Sequence, residues 1–167
     1  MNLNSSIHYS GIAGTGDVVP TTFNLTKKTE CKTIKQFDAI IEKLDRLKKE
    51  NFNRVLIPEF NYSIEDKNII QNIQFIKGYS VATFHPEYSH ILYEDVVQRK
   101  SDWTFVDYSF MNFIVDRYTH KIYALDFLSF AYCPSIDVRQ KRWETKLKKD
   151  CEIWRICNGN TRHPAPT

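Results

Sequence analysis

The chain has 167 residues, enough for one domain or two small lobes that bury a core without covalent staples. Hydrophobic residues make up 42%, charged residues 26%, and the net charge is only +3, which argues against a dedicated nucleic-acid binder. No apolar run is long enough to span a bilayer, no signal-peptide pattern opens the chain, and Cys31, Cys133, Cys151 and Cys157 form no C-x-x-C pair. The expectation is a reduced, cytoplasmic protein with neither membrane segment nor zinc site.

"SGIAGTGDVVP" reads as a strand, a turn rich in glycine (Gly11, Gly14, Gly16) and a second strand. "TTFNLTKKTE" alternates, so Phe23, Leu25 and Lys27 share one strand face. "TIKQFDAIIEKLDRLKKENF" predicts a helix. Phe37, Ile40, Ile41, Leu44 and Leu47 form its apolar stripe, and Thr33 with Gln36 forms a capping box. "RVLIPEFNYS", "IEDKN" and "IIQNIQFI" predict strand, turn and strand, with Pro58 marking an edge or a bulge. "HPEYSHILYEDVVQRKSDW" predicts a helix with Pro86 in its first turn. "NFIVD", "RYTH" and "KIYALDF" predict a second hairpin, and "SIDVRQKRWETKLKKDCEIWRIC" a final basic helix anchored by Trp143 and Trp154. This order is α+β rather than alternating βαβ, and Lys77-Gly78 divides it into two lobes, residues 1–78 and 79–167.

Three polar residues stand out in the apolar segment Phe105–Phe130: Asp107, Asn112 and Asp126. A hairpin returns its end to near its start, so Asn112 and Asp126, which flank the two strands, converge, and Asp107 lies close by. Carboxylate and amide oxygens suit magnesium. Phosphoryl transfer also needs glycines that approach phosphates, a lysine to neutralise them and an acid to hold that lysine. Gly11, Gly14 and Gly16, then Lys27 or Lys28, then Glu42, occur in that order. The bland alternatives are turn glycines, a solvated lysine pair and a solvated helix acid.

"VDYSFMNFIVDRYTHKIYALDF" resembles the catalytic segment of the protein-kinase-like superfamily, closest in style to its aminoglycoside and choline phosphotransferase branch. The resemblance covers most of the chain from about Gly11 to Pro134. It implies a two-lobed kinase-like α+β fold using ATP and Mg2+. Asp107 matches the catalytic aspartate, Asn112 the metal-binding asparagine, and Asp126 the aspartate that opens the D-F-G-like motif. The strand pair ending near Gly78 resembles the hinge, which implies that Gln74 and Ile76 offer backbone groups to adenine. The helix carrying Glu42 resembles the one that bears the lysine's acid partner.

The departures are specific. Phe105 and Val106 replace the His-Gly or His-Arg that precedes the catalytic aspartate, and Leu128 replaces the glycine of the D-F-G-like motif. No A-P-E-like stretch follows, so the C-terminal lobe is reduced and switching by phosphorylation is not expected. The implied activity is transfer of the ATP γ-phosphate to a hydroxyl acceptor, with a small molecule favoured. A protein partner that completes the small lobe is a further expectation. The alternatives are an inactive pseudokinase serving as a nucleotide- or protein-binding module, and an unrelated α+β binding protein. His85 and His90 lack a third ligand at metal spacing and read as surface residues. "RQKRWETKLKK" carries the residues for gripping phosphates, but its interspersed acid and the low net charge read as a solvated face.

Overall fold

A computed structural model describes the backbone of residues 5–11, 23–81 and 85–157 and the side chains of 25–81 and 85–153. The fold is mixed α+β and divides into two compact units. One comprises the residues up to Lys49 with Pro58–Lys77; the other comprises Glu50–Ile57 with the residues from Gly78 onward.

The first unit is a four-stranded antiparallel sheet and one helix. Strands β1 (Ser5–Gly11), β2 (Phe23–Glu30), β4 (Phe60–Glu65) and β5 (Asn68–Gln74) lie in the order β1-β2-β5-β4. Helix α1 spans Ile34–Lys49. Thr33 Oγ1 accepts the Gln36 N–H at 3.1 Å, and Gln36 Oε1 accepts the Lys32 N–H at 2.9 Å. The capping box therefore forms, with its return bond one residue earlier than the ideal pattern. Ile40, Leu44 and Leu47 are buried from the expected stripe. The helix meets the sheet through Tyr62, whose hydroxyl donates to Asp45 at 2.6 Å, while Lys48 Nζ lies 4.6 Å from the Tyr62 ring centre. The β4–β5 turn holds Asp66 at φ 54°, a left-handed conformation that Asp tolerates better than most residues.

The second unit holds strand β3 (Val55–Leu56), β6 (Gly78–Ser80), β8 (Phe113–Asp116) and β9 (Ile122–Ala124) in the order β3-β9-β8-β6. A separate pair joins β7 (Trp103–Phe105) to β10 (Phe130–Tyr132). Helix α2 (Pro86–Leu92) runs into a π-helical turn at Tyr93–Val97, and α3 spans Ile136–Cys157. Phe105, Phe113, Phe127, Phe130 and Trp143 are buried here, with Phe105 and Phe130 rings 5.2 Å apart. Arg139 of α3 is also buried, 1% exposed.

Two expectations are corrected. "RVLIPEFNYS" is not one strand: buried Pro58, which lacks an N–H for a ladder, separates β3 from β4. Residues 50–57 do not join the first lobe. β3 pairs in parallel with β9, Asp95 accepts the backbone N–H groups of Arg54 and Val55, and Arg99 pairs with Glu50 at 2.7 Å, all within the second unit. Regular structure breaks over residues 75–77, and Gly78 then opens β6, opposite Asp116.

Candidate functional site

The second hairpin positions the acidic residues. Its ladder pairs Phe113 with Ala124 and Val115 with Ile122. The next step outward is a bond from the Leu125 N–H to the Asn112 carbonyl at 2.8 Å. Asn112 and Asp126 therefore emerge at the same end of the hairpin, both half-buried. The buried side chains of Phe113, Val115, Ile122 and Ala124 anchor that end.

Asp107 is exposed and lies in the loop after β7. One of its carboxylate oxygens accepts the Ser109 N–H at 3.0 Å, which closes a tight side-chain turn. The Asn112 side-chain amide donates to the Asp107 carbonyl at 3.5 Å, at the long end of hydrogen bonding. Because Nδ2 faces Asp107, the Asn112 Oδ1 is left for another partner. Asp126 Oδ1 accepts the Leu128 N–H at 3.2 Å, which leaves its second oxygen. Two oxygen donors at one hairpin end fit magnesium, which binds through one or two protein oxygens and completes its shell with phosphate and water. They do not make an all-protein metal cage: no group of three His, Cys, Asp or Glu at metal spacing occurs among the described residues.

The other expected residues lie in the first unit. Lys27 and Lys28 sit on β2, between β1 and β5. Lys27 is opposite Gln71, which is opposite Tyr62, so these side chains share the face that α1 covers. Lys28 is exposed on the other face. Glu42 is not brought to this row. It lies two residues from buried Ile40, about 200° round the helix, and it is exposed with no ion pair among the described residues. Gln74 donates its backbone N–H to the Glu59 carbonyl at 2.8 Å, so that donor is not free for adenine. Buried Ile76 makes no backbone hydrogen bond among the described residues. Gly11 ends β1 opposite Phe23, while Gly14 and Gly16 lie outside the described residues.

His85 and His90 are surface residues, as expected. His90 approaches Glu94 at 3.0 Å one turn along, and the His85 ring lies 4.9 Å from that of Tyr88. Cys31, Cys133 and Cys151 are free. No helix among the described residues is long and apolar enough to cross a membrane.

Sequence reasoning missed the surroundings of Asp107. A cavity of about 360 Å3 is lined by Val106, Asp107 and Tyr108 on one side and by Lys141, Arg142, Thr145, Lys146 and Lys149 of α3 on the other. The helix residues recur at 141, 145, 149 and at 142, 146, so they share one face. That spacing is readable in the sequence; the strand end opposite it is not. Tyr108 is 3% exposed, and burial, with a smaller contribution from Cys133, pushes its hydroxyl pKa up to about 12 against the opposing pull of Arg139 and Arg142. Compared with known proteins, the chain matches no family model and no curated sequence.

Proposed function

We propose that the chain is a minimal kinase-like phosphotransferase that moves the γ-phosphate of ATP to a hydroxyl. The observation that carries this reading is the link from Asp107 through its carbonyl to the Asn112 side chain, with Asp126 at the same end of the hairpin. On this reading Asp107 would supply the proton acceptor, and Asn112 and Asp126 two oxygens for the metal, all from one hairpin and the loop leading into it.

In the proposed reaction the acceptor oxygen forms a bond to the γ-phosphorus, and the bond from that phosphorus to the bridging oxygen breaks. The departing electron pair stays on ADP. Asp107 orients the acceptor hydroxyl and takes its proton. Asn112 and Asp126 would hold magnesium, whose charge stabilises the phosphates. In the first unit Lys27 is the better candidate for neutralising phosphate, since Lys28 lies on the opposite face of the strand. Glu42, exposed and without an ion pair among the described residues, supports a second reading, a nucleotide- or protein-binding module without turnover.

The test is thermal unfolding with ATP, with and without magnesium, of wild type and Asp126→Ala. Ligand at 100 times its Kd stabilises by about 2.7 kcal/mol, which raises Tm by roughly 5–10 °C in a chain of this size. A magnesium-dependent rise that Asp126→Ala abolishes supports the site. A rise without turnover of any tested alcohol supports the second reading. No rise at millimolar nucleotide refutes both nucleotide readings.

A further inference from the structure

The cavity beside Asp107 has a charge pattern that proton acceptance alone does not require. Four cations line it, Lys141, Arg142, Lys146 and Lys149, against one acid, Asp107. Lys146 is held in place: its ammonium pairs with the buried carboxylate of Asp150 and lies 5.5 Å from the Phe110 ring centre. The side chains of Lys141, Arg142 and Lys149 form no ion pair among the described residues. Their positive charge is therefore uncompensated on the wall facing Asp107. A helix face whose only role is solvation does not need a concave partner, and acids spaced through it would neutralise its charge. Here Glu144 bonds to Gln140 and does not line the cavity.

We propose that this cavity binds the phosphate group of a small phosphorylated alcohol and presents that molecule's hydroxyl to Asp107. The inference rests on the phosphotransferase reading and specifies its acceptor class. Three uncompensated cations beside one paired cation suit a dianion better than a carboxylate monoanion. Arginine contributes a planar fork and the lysines compact point charges, a combination that recognises phosphate oxygens. The site is an open groove of about 360 Å3, the size of a small-molecule pocket, bounded on one side by the Val106–Tyr108 segment. The chemistry balances as in the transfer above: the acceptor's free hydroxyl becomes the new phosphate ester, its proton passes to Asp107, and the phosphate already present remains bound to the helix.

The experiment is an amide NMR titration of the full chain with glycerol 3-phosphate, glycerate and glycerol, at low salt and without nucleotide. Shifts at Val106–Tyr108 and at residues 141–149 with the phosphate ester, weaker shifts with glycerate and none with glycerol are expected. Lys141→Glu with Lys149→Glu changes two exposed helix positions, leaves the circular dichroism spectrum unchanged and weakens phosphate-ester binding at least tenfold. Equal response to glycerol, absence of shifts at millimolar ester, or undiminished binding in the double variant overturns the proposal. So does a single-stranded oligonucleotide binding the same face at hundredfold lower concentration, which reassigns it to nucleic acid. Phosphate-ester binding in a protein that shows no magnesium–ATP stabilisation supports the anion pocket and overturns the kinase-like reading. ATP binding without ester binding overturns the pocket alone.

Discussion

Arg139 is a buried cation for which the described residues supply no carboxylate. Its guanidinium is satisfied by backbone carbonyls: Nε donates to Cys133 at 2.6 Å, Nη1 to Arg99 at 2.7 Å and to Val97 at 3.3 Å, and Nη2 to Ser101 at 2.7 Å. Hydrogen bonds to a charged group contribute about 1.5–3 kcal/mol each, but desolvating the guanidinium costs several kcal/mol, so the four bonds do not simply add. Arg139→Met removes the charge and its desolvation cost together, yet leaves buried carbonyls without their donors. The expected net loss is about 3–5 kcal/mol, similar to breaking a buried charge pair. That is a large part of the 5–15 kcal/mol that roughly bounds domain stability. At a slope of about 2 kcal/mol per M, the urea midpoint falls by roughly 1.5–2.5 M. All three tryptophans, Trp103, Trp143 and Trp154, lie in the second unit, so their fluorescence follows this transition without the first unit. Arg139→Lys keeps the charge but not the fork, and loses about 2 kcal/mol. Arg142→Met, on the exposed side of the same helix, serves as control and changes stability by less than about 0.5 kcal/mol. If Arg139→Met stays within about 1 kcal/mol of wild type, the guanidinium is not what satisfies these carbonyls.

Other substitutions test separate parts of the same unit. A Cβ on Gly78 would lie 1.8 Å from the Val115 carbonyl oxygen, so Gly78→Ala forces β6 away from β8. A loss of about 2–3 kcal/mol in urea unfolding is expected, and an unchanged midpoint refutes the tight approach. The Tyr108 hydroxyl is buried without a partner among the described residues, so Tyr108→Phe leaves stability equal or raises it by up to about 1 kcal/mol. A clear loss in that variant reveals a partner for the hydroxyl. Asp116 accepts the N–H groups of Thr119 at 2.7 Å and Tyr118 at 2.8 Å, and these bonds hold its carboxyl below the usual carboxylate range. A depressed folded-state pKa contributes stability above the unfolded value, about 3.9, and that contribution disappears as pH falls through the folded value. Wild type is therefore expected to lose urea stability more steeply below about pH 4 than Asp116→Asn, and parallel profiles refute the role of the turn.

Local signals were legible in the sequence and long-range pairing was not. Thr33 and Gln36 announced the start of α1, and the bonds to both are present. The polar runs at Asp66 and at Arg117–His120 announced two turns, each with one residue in the left-handed region, Asp66 and His120. What joins β3 to β9 is a parallel pairing between segments more than sixty residues apart, and two residues of strand carry no period to read. The same holds for β7 with β10, three residues each. Gly78 reads as a breaker in isolation. Only its close contact with Val115 explains why a residue without a side chain is needed at the start of β6.

The candidate site divides along the same line. The Asp107-Asn112-Asp126 spacing was legible because hairpin register is local: once Phe113 pairs with Ala124, Asn112 and Asp126 have to leave together. The choice between Lys27 and Lys28 needed the sheet, since alternation sends them to opposite faces and the contacts of Tyr62 with Asp45 and Lys48 identify the face under α1. Glu42 was open to correction from the sequence itself. A stripe through Ile40, Leu44 and Leu47 directs Glu42 to the far side, and the same wheel gives Asp45 the reach to the sheet that Glu42 lacks. If the first unit binds phosphate, Lys27 must do so without a partner from Glu42. Glu42→Gln then leaves nucleotide affinity unchanged while Lys27→Met lowers it. A matching loss in both variants, measured by magnesium–ATP titration, would restore the pair and show that α1 turns on binding.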